Sequence, residues 1–209
     1  MNQPKKKRVL EKGKTEEYIK WYFEELQEKG YVHSINTNPS SIVIFEKIAV
    51  TQWVTLRQRV YTADFEIIWT ILGMVKWCNL QYSTDAIRKP FISYNDSTLI
   101  EVKPNVSYRL ARANTSMVTF PLRRNMLYQA TGQYVQMVKT EDLFASTFTP
   151  KRYLLTDKTG KPRTIHFHTR TLDEYLQLTD NLTKPMPGSK WDRDEISDDD
   201  LGFKFVEDG

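Results

Sequence analysis

Apolar residues recur along the chain with two periods, and the change from one to the other marks out its elements. Over residues 15–29, Tyr18, Ile19, Tyr22, Phe23 and Leu26 fall at helical spacing and predict a helix with one buried face. Thr15 is suited to cap it, Glu16 and Glu17 suit the positive end of its dipole, and Gly30 to stop it. At 100° per residue Glu16 lies at the edge of the buried face and Glu17 nearly opposite it. Beyond Gly30 the period shortens to two. SIVIF (residues 41–45), the alternating run 54–68 and TLIEVK (residues 98–103) read as strands, the last ended by Pro104 and Asn105. Residues 70–97 break the alternation and are expected to be an insertion or long hairpin arm. A polar, Arg-bearing segment follows at 107–116. Residues 123–139 predict a second amphipathic helix, with Met126, Leu127, Ala130, Tyr134 and Met137 inward. Strands are expected at 152–156 and 163–169, joined by a turn at 157–160, then a short helix at 172–178. Trp21, Trp53, Trp69 and Trp77 are expected in the core. The organisation predicted is a flexible basic arm over 1–14, one α/β domain over 15–178, and an acidic tail over 179–209.

Composition changes this picture in one respect. With 40% apolar and 27% charged residues among 209, the chain has the make-up of an ordinary globular protein. It lacks any apolar run long enough to span a membrane, and no hydrophobic stretch follows the basic N-terminus as in a secretory signal. One cysteine, Cys78, excludes an internal disulfide and suits a reducing compartment, so a cytoplasmic location is expected. Lys5 to Arg8 would serve as an import signal in a nucleus, or contact phosphates non-specifically. The net charge of +4 conceals an asymmetry: from Asp192 onward there are eight acidic and two basic residues, which leaves the rest of the chain at +10. So basic a body suits a polyanionic partner, with a merely solvated surface as the alternative.

The chemistry concentrates in two short strings, Tyr61-Thr62-Ala63-Asp64-Phe65 and Ile100-Glu101-Val102-Lys103-Pro104. Side chains alternate on a strand, so Glu101 and Lys103 share a face while Ile100 and Val102 take the other. A carboxylate and an ammonium among apolar neighbours are costly without a partner. A divalent cation held by Asp64, Glu101 and a backbone carbonyl, that of Val102, would offset the cost; Mg²⁺, with Mn²⁺ as its substitute, prefers such a site of few carboxylates plus waters. That cation would activate water and polarise a phosphodiester. Lys103 would orient the water or stabilise developing charge.

In residue types and order these strings resemble the signature of the PD-(D/E)xK nucleases, the restriction-endonuclease-like superfamily. Ala63 replaces the usual proline, and 37 positions separate Asp64 from Glu101 where many members have a short hairpin. The resemblance covers residues 15–140 and is nearest to small phage endonucleases, including Holliday-junction resolvases. Strand-cutting nuclease subunits of some transposons are less close. It implies a mixed central sheet flanked by helices, and Mg²⁺-dependent hydrolysis of DNA, at branched or recombination intermediates among other substrates. It also implies a further acidic residue on the first helix, met by Glu16 with Glu17 as fallback, and polar residues on the helix after the lysine strand, met by Gln129 and Gln133. Arg109, Arg112, Arg123 and Arg124 are the candidate DNA contacts, with ordinary surface charge as the alternative. A homodimer would present two sites.

Several features keep a second reading. Asp64 alone is compatible with a turn, and Glu101 with Lys103 alone with a surface ion pair. Glu66 reads as a solvated carboxylate. His166 and His168 alternate on a strand face but lack an evident third ligand. The string SDDDLGFKF resembles the docking tips of single-stranded DNA-binding proteins; it would recruit a protein partner, cover the basic cleft as a DNA mimic, or simply solubilise. Rival functions are a non-enzymatic DNA-binding or partner-recruiting protein on the same fold, a nuclease for RNA or for strand ends, and a structural phage protein.

Overall fold

Helix α1 (Lys14–Glu28) opens with Glu16 and Glu17 in its first turn and buries Ile19, Tyr22, Phe23 and Leu26 completely. It ends where Gly30 takes φ +78°. The amide of Tyr31 donates to the Leu26 carbonyl and that of Gly30 to Gln27, a Schellman stop that only glycine adopts cheaply. This is a computed structural model, and it describes residues 14–84, 88–105, 115–156 and 160–181. The chain divides into two units, residues 1–175 and 176–209, and the strands of the described residues lie in the first.

The central sheet has four strands in the order β1 (Val32–Asn36), β6 (Phe65–Trp69), β9 (Ser97–Lys103) and β10 (Val135–Lys139). β1 and β9 run antiparallel to β6, whereas β10 runs parallel to β9, so the sheet is mixed. The last two strands are joined through helix α3 (Thr115–Thr131), since a parallel neighbour needs a crossover. Side chains on the two faces of β9 meet different partners. Thr98 receives a hydrogen bond from the Trp69 indole, on the side where Phe23, Trp69 and Phe91 form an aromatic core. Leu99 belongs to a second cluster with Tyr61, Ala63, Val135 and, from α3, Phe120 and Leu127. The protein is therefore mixed α/β, with a mixed sheet and flanking helices.

The remaining elements correct the sequence reading in four places. The run 54–68 is not one strand. It comprises β4 (Thr55–Leu56), β5 (Arg59–Tyr61) and β6, of which β5 pairs with β2 (Ile42–Phe45) and β4 with β3 (Ile48–Ala49). Together these short strands make a ribbon whose turn carries Trp53 at 85% exposure, so Trp53 is not a core residue. Residues 70–97 stand as an insertion between the paired strands β6 and β9, but their described part is not a hairpin arm. They hold helix α2 (Ile71–Trp77) and two parallel strands, β7 (Cys78–Leu80) and β8 (Phe91–Ser93), and they bury Trp77 and Phe91 completely.

The expected helix over 123–139 is α3 and β10 in succession, divided at Gly132 with φ +72°. Residues 152–156 and 163–169 are not strands: a 3-10 helix covers Lys151–Leu154, and the Leu155–Pro162 bridge is isolated. Two further helices, α4 (Thr140–Ser146) and α5 (Leu172–Asn181), complete the elements of the described residues, α4 bringing Phe144 under Tyr22 at 5.8 Å. No helix of the described residues is long and apolar enough to cross a membrane.

Candidate active site

Strand β9 sets Glu101 and Lys103 on one face by alternation, with Ile100 and Val102 buried on the other. The two charged side chains are themselves largely buried, 8% exposed for Lys103 and 15% for Glu101, and they form an ion pair at 2.5 Å. The second oxygen of Glu101 accepts a hydrogen bond from the Tyr61 hydroxyl at 2.7 Å. Lys103 also lies 5.5 Å from the centre of the Phe120 ring on α3. Burial of Tyr61, then its bond to Glu101 and the charges of Glu101 and Asp64, hold its phenol protonated, well above the ordinary range. It is therefore a fixed donor to Glu101.

Asp64 arrives from the adjacent strand. It lies just before β6, where the last paired residues are Phe65 and Ile100, and its amide donates to the Ile100 carbonyl at 3.0 Å. Its carboxylate reaches over the end of β9 and accepts from the Val102 amide at 2.6 Å. Residues separated by 38 positions are thus in direct contact because two antiparallel strands end together. The Asp64 carboxyl is raised to about 6, first by burial and then by the negative charges of Glu101 and Glu16, against the Val102 amide and Lys103, which lower it. Glu16, in the exposed first turn of α1, is thereby placed within electrostatic reach of Asp64, which its position at the edge of the helix face predicts.

Beside Glu101 opens a cleft of about 440 Å³, lined among others by Tyr61, Thr62, Arg59 and Arg123. The arginines come from β5 and α3, so the buried carboxylate faces a mouth with cationic walls. Arg123 was expected among the DNA contacts; Arg59 and Tyr61 were not. Arg59 is legible only as one basic residue of an alternating strand, and its place at the cleft depends on the ribbon folding against α3. Arg124 points elsewhere: its guanidinium donates to the Tyr134 hydroxyl at 3.1 Å and lies over the Tyr134 ring. Arg109 and Arg112 lie outside the described residues, as do residues 1–13 of the basic arm and 182–209 of the acidic tail, while Lys14 already belongs to α1 and residues 179–181 to the last helix.

Gln129 and Gln133 do not share a helical face. Gln129 is exposed on α3, and Gln133 lies past the helix end, its amide bonded to the Thr131 hydroxyl. Glu66 is bonded to Asn36 on β1 at 3.3 Å. His166 and His168 are exposed on irregular backbone, where no strand alternation brings them together.

Among the described residues, no three or more His, Cys, Asp or Glu side chains are gathered closely enough to form a metal cluster. The chemistry of the donor set nonetheless fits a hard cation of the Mg²⁺ kind, which takes one or two carboxylates and completes its octahedron with water. Asp64 uses Oδ2 on the Val102 amide; its carboxyl is raised to about 6 first by burial and then by the negative charges of Glu101 and Glu16, the part a cation would offset. Glu101 would have to exchange part of its pairing with Lys103 to join it. No family model matches the chain, and neither a curated protein nor a solved structure matches it with significance.

Proposed function

We propose that this protein is a metal-dependent nuclease that hydrolyses DNA phosphodiesters on a restriction-endonuclease-like fold. One observation carries the reading: Asp64, just before β6, bonds the Val102 amide beside the buried Glu101–Lys103 pair of β9, and Glu101 opens on a cleft that Arg59 and Arg123 also line. Binding alone needs the arginines but not the buried acid–acid–lysine set, which is costly to desolvate. Asp64, Glu101 and the Val102 carbonyl would hold Mg²⁺ or Mn²⁺, which supplies Lewis acidity and lowers the pKa of a coordinated water. Arg59 and Arg123 would bind the phosphate and orient it toward Glu101. Lys103, kept at Glu101 by its ion pair, would align the attacking water or donate to the developing oxyanion. Tyr61 fixes the Glu101 carboxylate in one rotamer, and Glu16 adds negative charge from the edge of the site.

The test is incubation of the purified protein with linear, supercoiled, single-stranded and four-way-junction DNA in Mg²⁺, Mn²⁺ or EDTA. Wild type is expected to cut with metal and not in EDTA. Asp64→Ala and Lys103→Ala are each expected to lose cutting by at least about 100-fold while still binding DNA. Undiminished cutting by either variant would overturn the site. A non-enzymatic DNA-binding or partner-recruiting protein is the second reading. It is favoured by the satisfaction of both Glu101 oxygens within the protein, by Lys103 and Tyr61. Absence of cleavage on every substrate would select it.

A further inference from the structure

A second groove, larger than the cleft at about 650 Å³, opens where β7, the end of α3 and the start of β10 meet. Arg88, Lys89 and Arg124 bring cations to it, and Tyr82, Tyr128 and Tyr134 bring rings; its described lining holds no carboxylate. On α3 its contributors are Arg124, Asn125 and Tyr128, whereas those of the cleft are Thr119, Leu122, Arg123 and Met126. At 100° per residue the two sets project about half a turn apart, so the groove lies on the far side of the helix from Glu101.

The groove is held in shape by side-chain amides spent on backbone. Gln81 donates to the Gly132 carbonyl at 2.6 Å and accepts from the Tyr134 amide at 3.3 Å. Gln136 donates to Pro90 at 2.6 Å and accepts from Ile92 at 2.9 Å, and Asn79 accepts from the Lys89 amide at 2.6 Å. On this frame Tyr82 adopts φ +69°, a left-handed conformation that is unfavourable for a tyrosine, and leaves its ring 72% exposed. The Tyr82 ring lies 6.5 Å from that of Tyr128, at 48° to it. Tyr82 takes this conformation as the third residue of a turn closed by the Ser83 amide on the Leu80 carbonyl at 2.9 Å, and the turn sets its ring at the rim of the groove.

Among the described residues the groove's cations favour phosphates, and the exposed Tyr82 ring beside the half-buried Tyr128 favours bases, which are accessible only when unpaired. We propose that this groove binds a single, unpaired DNA strand. The inference takes from the nuclease reading only the choice of DNA over RNA, and its test needs no catalysis.

Fluorescence anisotropy of the full chain in EDTA would compare a labelled twelve-nucleotide dT strand with a blunt duplex. Wild type is expected to bind the strand. Tyr82→Ala and Tyr128→Ala are expected to weaken that binding at least about fivefold, the lower end of what one stacked base contributes. Duplex affinity should change less than about twofold in the same variants, since paired bases cannot reach the rings. Tyr82→Phe should bind as wild type does. Tyr82→Gly, which relieves the backbone while removing the ring, should bind as weakly as Tyr82→Ala without loss of thermal stability, separating the contact from the fold. Equal losses on strand and duplex, no loss in any variant, or an acidic peptide that displaces the strand at equal concentration would overturn the proposal. Asp64→Ala distinguishes the two readings: it should abolish cutting and leave strand affinity intact. Strand binding that depends on Tyr82 in a protein that never cuts would retain this groove and reject the nuclease.

Discussion

Lys103 and Glu101 form a largely buried ion pair, so removing one partner leaves the other's charge without its counter-ion in a desolvated place. Breaking such a pair costs about 3–5 kcal/mol, while replacing both partners is often neutral. Lys103→Met is therefore expected to lower the unfolding midpoint in urea, and Glu101→Gln combined with Lys103→Met to restore much of it without restoring cleavage. Equal stability of the single and double variants would show that the pair is not coupled. Asp64 sets a pH dependence. Its carboxyl is raised to about 6, first by burial and then by Glu101 and Glu16, against an ordinary value of 3.8. A carboxyl raised in the folded state favours folding when protonated. Its contribution is full below the unfolded value and is lost as pH rises through about 6. In EDTA, the midpoint temperature of wild type should fall relative to Asp64→Asn between pH 4 and 7; a constant difference would refute the shift.

The elements differ in how their ends are determined. α1 is legible because its apolar spacing, acidic first turn and Gly30 stop all agree. α3 begins and ends eight residues earlier than its apolar spacing predicts. Pro121 lies inside the helix, where proline ordinarily marks a start, and Gly132, the true stop, was passed over because Tyr134 and Met137 continue a helical spacing by coincidence. β10 could not be recognised locally, since it is a strand only because β9 offers a parallel edge. α2 shows how closely an element read as an arm is built into the core. Thr70 caps it through the Gly73 amide and bonds the Gly30 and Tyr31 carbonyls. A Cβ at Gly73 would lie 1.8 Å from the Tyr31 carbonyl oxygen, a backbone atom that no rotamer change can move. Gly73→Ala is expected to cost about 3 kcal/mol or more by urea denaturation; a cost near zero would show that α2 docks loosely.

Over the whole molecule, charge is unevenly distributed along the chain. From Asp192 onward eight acids oppose two bases, and the rest of the chain carries +10 within a total of +4. Removing residues 192–209 should leave the midpoint temperature of the folded unit unchanged. It should also tighten duplex binding at low salt, an advantage that vanishes as screening shortens the range of the field. Anisotropy titrations at about 50 and 300 mM salt would measure it, and equal affinity with and without the segment at both would exclude an electrostatic role.

The sequence alone determined the chemistry of β9, because alternation on any strand unites Glu101 with Lys103 and separates them from Val102. It also determined α1 and the place of Glu16 at its edge, because helical periodicity and end signals are local. Only the tertiary structure decided that Asp64 meets Val102, since contact across 38 positions depends on which strands pair and where they end. The same holds for Tyr61 on Glu101, for Arg59 and Arg123 at the cleft, and for the groove behind α3. Each joins residues whose positions along the chain carry no mutual signal, and packing is what brings them together.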